Sequence, residues 1–155
     1  MSRRCPRCKK EMSCPRHILE IDDNYTHLSL TRHILHQAGF AVSTACDGAE
    51  GLDLTQTQQP DLIVLDVVMP GLNGLEVCQR LKEDPATSQI PVLLYSSLES
   101  HNMPDSHTVG ADALLRKPAA AAVLHRLFVC RIGRAMQINE RHYVTKDAVK
   151  AVRNA

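Results

Sequence analysis

Four polar groups in this chain can do chemistry together: the paired acids Asp22-Asp23, the acid Asp66, the hydroxyls Ser96-Ser97 and the ammonium of Lys117. Each group follows a short apolar segment. The clearest is Leu62 to Leu65, four apolar residues followed at once by Asp66 and closed by Met69-Pro70-Gly71. A short apolar run bounded by breakers reads as a strand buried on both faces, as in parallel sheets. Burying an ionised carboxylate is costly unless it is paired or metal-bound. Asp66 is therefore expected at the carboxyl end of its strand, where open α/β sheets form their sites. If the strand before Asp22 lies beside it, Asp22, Asp23 and Asp66 meet in one crevice. Like charges that close raise one another's pKa unless a cation neutralises them. A hard divalent ion with oxygen ligands, Mg²⁺, is the natural partner. A metal site, a hydroxyl and an ammonium on one edge are the parts that bind a phosphoryl group, with Asp66 as its acceptor. Any one strand-end acid is most simply a solvated loop residue; their joint placement argues otherwise.

The elements that must deliver these groups follow in order. His17 to Ile21 is a strand candidate ending on Asp22-Asp23. Tyr25 to Gln37 carries Leu28, Thr31 and Leu35 at helical spacing, with Gly39 as its stop. Phe40 to Ala45 reads as a second strand. Asp47-Gly48 marks a turn and N-cap for a helix reaching Gln58. Asp61 to Leu65 is the third strand, Leu75 to Lys82 a helix, and Ile90 to Tyr95 a fourth strand with its proline near the start. A helix is expected over 99–109, weakened by Asn102 and Pro104. A fifth strand over Ala113 to Leu115 stops at Lys117-Pro118, and a last helix is expected from Ala119 to about Gly133. Alternating strands and helices imply an α/β fold, a parallel sheet with helices on both faces.

Taken together, Asp22-Asp23-Asn24, Asp66 with Met69-Pro70-Gly71 and Gly74, Ile90-Pro91-Val92 ending on Ser96-Ser97, Gly110-Ala111-Asp112, and Lys117-Pro118 resemble the receiver domain of two-component response regulators. The resemblance covers roughly 17–131. It implies a flavodoxin-like, doubly wound five-stranded parallel sheet of order 2-1-3-4-5. It also implies that Asp66 accepts a phosphoryl group from a sensor histidine kinase or a phosphotransfer protein. By the same resemblance, Asp23, Asp66 and the backbone carbonyl of Val68 bind Mg²⁺ directly, and Asp22 acts through water. Lys117 pairs with the carboxylate and then with the phosphoryl oxygens, and Ser96 moves its hydroxyl onto them to start the switch. Such a chain catalyses its own phosphorylation and slow dephosphorylation and is not a separate enzyme.

Two positions depart from the family. Leu114 stands where Tyr or Phe is usual, which alters the aromatic readout of the switch. Ala119 replaces the bulky residue common after Lys-Pro. Val68 and Leu98, two beyond Asp66 and Ser96, are apolar and cannot orient an attacking water, so a long-lived phosphoryl group is expected.

Charge and cysteines bound the rest. The 155 residues carry a net charge of +1, which hides an acidic body between basic ends. Residues 1–16 form a basic Cys-rich extension, 17–131 the receiver and 132–155 a basic C-terminal extension. Cys5, Cys8, Cys14 and His17 can form a closed tetrahedral Zn²⁺ site, a redox Cys-x-x-Cys pair or a plain basic tail. Cys46, Cys78 and Cys130 are expected as small buried hydrophobes. The C-terminal extension is too short for a DNA-binding domain with its own core, so no dedicated DNA-binding domain is expected. Neither a signal peptide nor a membrane span is evident, which makes a cytoplasmic protein the expectation. Signalling is expected through an unidentified downstream protein, with a homodimer admissible. The rival functions are a pseudo-receiver that binds partners without phosphorylation, a zinc-dependent adaptor, and a hydrolase using Asp66.

Overall fold

The structure is a computed structural model, and it describes residues 17–97 and 109–117. Within them lie β1 (His17–Ile21), α1 (Tyr25–Gln37), β2 (Ala41–Ala45), α2 (Gly48–Gln58), β3 (Leu62–Leu65), α3 (Gly74–Glu83), β4 (Val92–Ser96) and β5 (Ala113–Arg116). The helices expected from Glu99 and from Ala119 lie outside the described residues, as do Cys130 and both extensions.

The strands form one parallel sheet in the order β2-β1-β3-β4-β5. Its two faces are read off the alternation of side chains along each strand. Leu19, Ile21, Ile63, Leu65, Val92 and Leu94 join Val77, Cys78 and Leu81 of α3 in one aliphatic core, with Leu52 and Leu54 of α2 packed against it. On the other face Glu20 lies against Thr31 of α1, and Tyr95 stacks on His27 of the same helix. Helices thus cover both faces, and strands buried on both sides read as continuous apolar runs.

Local chemistry sets the helix starts. Asn24 caps α1 by accepting from the amides of Thr26 and His27 at 3.1 and 3.2 Å. Asp47 caps α2 through the Glu50 amide at 2.8 Å. A capping box starts α3: Asn73 and Glu76 each accept from the other's backbone amide at 3.0 Å. That box places the helix start at Gly74, one residue before the expected Leu75. Gly39, at φ +90°, follows the α1 C-cap. β4 begins two residues later than Ile90, after Pro91, which has no amide to give the ladder.

Two expectations about cysteines separate. Cys78 is buried in the core, and burial pushes its thiol up to about 12. Cys46 is not a core residue: it is half-buried at the end of β2, and its Sγ donates to Glu50 Oε2 at 3.2 Å.

Candidate functional site at the carboxyl edge of the sheet

Parallel pairing delivers the polar groups to one edge. Ile21 pairs with Leu65, and the ladder runs one step further, with the Asp66 amide donating to Ile21 O at 2.9 Å and the Asp22 amide to Ala45 O at 3.1 Å. Across the sheet, Ser96 pairs with Arg116 and the Lys117 amide donates to Ser96 O at 2.8 Å. Asp22, Asp66, Ser96 and Lys117 therefore stand at consecutive strand ends.

The loop after Asp66 is held against the start of α3. The Gly74 amide donates to Val67 O at 3.0 Å, and a Cβ on Gly74 would lie 2.0 Å from the Asp66 carbonyl oxygen. Only glycine permits that approach. The Val68 amide lies 3.3 Å from Asp66 Oδ1, while its side chain is exposed.

Three acids converge as expected. Oxygens of Asp22, Asp23 and Asp66 lie within 4.8 Å of one another. Asp22 and Asp66 are buried, at 2% and 8% exposure, and Asp23 is open to solvent. Lys117 bridges the two buried carboxylates, with Nζ 2.6 Å from Asp22 Oδ2 and 3.3 Å from Asp66 Oδ2. Burial raises the Asp66 carboxyl above its ordinary value; the Lys117 charge opposes this and the Asp22 charge adds to it. Burial alone would lower Lys117, but its bond to Asp22 and the charge of Asp66 outweigh that and raise it. Ser96 is buried at the end of β4.

A second layer of this edge was missed by reading the sequence. His27 Nδ1 donates to Asp22 Oδ2 at 2.8 Å, and its ring stacks on Tyr95 at a centroid distance of 5.2 Å. Lys117 Nζ lies 5.2 Å from the centroid of the same Tyr95 ring, within cation–π range. Beneath them Glu20 is 1% exposed, and burial drives its carboxyl up to about 8. A charged residue inside the apolar run His17 to Ile21 was the available signal for Glu20.

The Gly110-Ala111-Asp112 motif does a different job at the other end of the sheet. Asp112 Oδ2 accepts from Lys82 Nζ at 2.7 Å and from the Val92 amide at 2.9 Å, locking α3 to the starts of β4 and β5. Lys82 also donates to the carbonyls of Ile90 and Ser88 at 2.9 and 3.3 Å. Leu114 is half-buried and packs against the aliphatic core.

The zinc set gains no support here. Cys5, Cys8 and Cys14 lie outside the described residues, and His17 is buried in β1 with Nε2 2.8 Å from Ser43 Oγ.

The five-stranded order, the acid crevice at its carboxyl edge and the bridging lysine define a flavodoxin-like protein with an acidic site at the carboxyl ends of its strands. Residues 18–128 match the family described as response regulator receiver domain, and the chain belongs to that family. Response regulator PleD of Caulobacter vibrioides is 39% identical over 102 residues, 65% of this chain but 22% of PleD. The Synechocystis transcriptional regulator RpaA is 41% identical over 65% of this chain and 42% of its own length. The chain thus spans less than half the length of these relatives. Among solved structures, Vibrio cholerae chemotaxis protein CheY4 superposes with a TM-score of 0.70 at 28% identity, covering 74% of this chain and 97% of that one. A putative response regulator from Chloroflexus aurantiacus gives 0.72 at 27% identity, covering 78% and 100%.

Proposed function

We propose that this chain is a phosphoryl-accepting response regulator, with Asp66 as acceptor. The observation that carries the reading is the crevice of Asp22, Asp23 and Asp66 bridged by Lys117. Three carboxylates against one lysine leave net negative charge, and an oxygen-rich donor set of that kind suits Mg²⁺. Asp23, Asp66 and the Val68 carbonyl would hold the ion, with Asp22 joining through water. When bound, Mg²⁺ supplies charge neutralisation for an incoming phosphoryl group.

An Asp66 carboxylate oxygen attacks the phosphorus of a phosphohistidine; the O–P bond forms as the P–N bond breaks, and the departing imidazole takes up a proton. Lys117 shifts from the carboxylates toward the phosphoryl oxygens, where its charge is preorganised for the transition state. Ser96, at the next strand end, turns its hydroxyl to the new oxygens. A modification that adds about −1.5 to −2 of charge rearranges nearby donors, which begins the switch.

The phosphodonor is a sensor histidine kinase or a phosphotransfer protein, and the output is a contact with a downstream protein. The receiver unit extends over 17–131, flanked by basic extensions, and works in the cytoplasm; among the described residues no helix is long and apolar enough to cross a membrane. The test is intact mass after incubation with Mg²⁺ and acetyl phosphate. One phosphoryl group should add to the wild type and none to Asp66→Asn. No addition from acetyl phosphate or a cognate kinase would favour a partner-binding protein without phosphorylation.

A further inference from the structure

The proposed function leaves Glu20 unused. Its side chain is 1% exposed, and among the described residues neither carboxylate oxygen has a hydrogen-bond partner. The nearby Thr31 hydroxyl eases the burial without the geometry of a bond. A buried polar group left in this state is costly, so the position asks for a ligand.

Three donors already face one another there. His27 Nδ1 lies 2.8 Å from Asp22 Oδ2 and 3.9 Å from Glu20 Oε1, and all three ligand atoms lie within 4.8 Å of one another. Ligands bound at about 2.0–2.2 Å to one ion stand roughly 2.8–3.5 Å apart. The Asp22–His27 separation already meets that spacing, and Glu20 Oε1, 3.9 Å from His27 Nδ1 and within 4.8 Å of the Asp22 oxygen, must move inward to meet it. The groups around this cluster are Lys117, which holds Asp22 Oδ2 at 2.6 Å, the Tyr95 ring and Thr31.

We propose that Glu20, Asp22 and His27 form a second divalent-cation site, for a transition ion such as Mn²⁺ or Fe²⁺ that accepts mixed carboxylate and imidazole ligands. The ion takes the place of the proton on His27 Nδ1, since a metal ligand must be deprotonated. Mg²⁺ is a poor occupant, because it dehydrates reluctantly and prefers oxygen. The Asp22–Asp23–Asp66 crevice, open through Asp23, keeps Mg²⁺. The site shares Asp22 with that crevice but does not depend on Asp66 accepting a phosphoryl group.

The test titrates Mn²⁺ into the full chain in excess Mg²⁺ and follows it by electron paramagnetic resonance. Mn²⁺ is the probe because thiolates such as Cys5, Cys8 and Cys14 would capture softer ions. One Mn²⁺ should remain bound with nitrogen modulation from an imidazole. His27→Ala should remove that modulation, and both it and Glu20→Gln should weaken binding at least ~10-fold, since even outer-shell partners of a metal site are worth that much. His27 is 22% exposed, and circular dichroism of His27→Ala matching the wild type keeps the comparison to folded protein. Asp66→Asn should keep the Mn²⁺, which separates this site from the phosphoacceptor. Complete displacement by Mg²⁺, or nitrogen modulation unchanged in His27→Ala, would overturn the proposal.

Discussion

Two lysine–aspartate pairs sit at opposite ends of the same sheet with nearly the same length, 2.6 Å for Lys117–Asp22 and 2.7 Å for Lys82–Asp112. They do different work. Lys82 is surrounded by acceptors without charge, the carbonyls of Ser88 and Ile90, and Asp112 spends the same oxygen on the Val92 amide. That pair is closed: every strong donor has found an acceptor, and the result is a clamp between α3, β4 and β5. Lys117 instead stands between Asp22 and Asp66 with Asp23 beside them, so charge is left over. A salt bridge by itself is weak grounds for function. Unbalanced charge at a strand edge is what marks the second pair as a site.

Breaking the two lysines should separate chemistry from stability. Lys117→Met should lower phosphorylation by acetyl phosphate at least ~100-fold, the scale set by removing one preorganised donor to a developing charge. Lys82→Met should leave that rate nearly unchanged below the melting transition. It should cost about 1–3 kcal/mol in urea denaturation, because the Ser88 and Ile90 carbonyls lose the Lys82 donor and Asp112 loses its charged partner. Equal loss of phosphorylation in both variants would erase the distinction.

The same carboxylate-to-amide change should have opposite signs at the two ends. Asp66 has a raised pKa in the fold, so the folded state holds the proton more tightly than the unfolded chain does. Its contribution is therefore fullest below the unfolded value of 3.8 and is lost as pH rises through the folded one. At neutral pH without Mg²⁺, Asp66→Asn removes this burden and should raise Tm. Asp112→Asn weakens a satisfied clamp and should lower it, by a few degrees per ~1 kcal/mol in a domain of this size. Added Mg²⁺ should stabilise the wild type and narrow its gap to Asp66→Asn. A drop in Tm for both variants would show that the carboxyl edge is as balanced as the clamp.

The smallest effect concerns lifetime. Val68 is 51% exposed beside Asp66 and offers no group to orient water. The phosphorylated wild type should persist well beyond seconds, and Val68→Asn should shorten the half-life several-fold. A wild-type half-life of seconds would contradict this reading.

Much of this was legible in the chain because buried strands leave short apolar runs and their polar ends stand out. Leu62 to Leu65 announced a strand, and Asp66 its end; the bounds of α1 were read correctly from Leu28, Thr31, Leu35 and Gly39. What escaped depends on contacts between distant positions. Asp112 reads as part of a motif, but its partners lie 20 and 30 residues away at Val92 and Lys82. His27 looks like any polar residue on a helix until α1 sets it over Asp22 and Tyr95. The Asn73–Glu76 capping box was in view, and reading it would have placed the start of α3 at Gly74.

The central claim is that Asp66, alone among the three clustered acids, takes the phosphoryl group. Borohydride reduces an aspartyl phosphate to homoserine, so trapping after acetyl phosphate treatment, followed by tandem mass spectrometry, reads the position directly. The account predicts Mg²⁺-dependent homoserine at position 66, with positions 22 and 23 unmodified. Homoserine at position 22 or 23, or none at any position in fully folded protein, would contradict it.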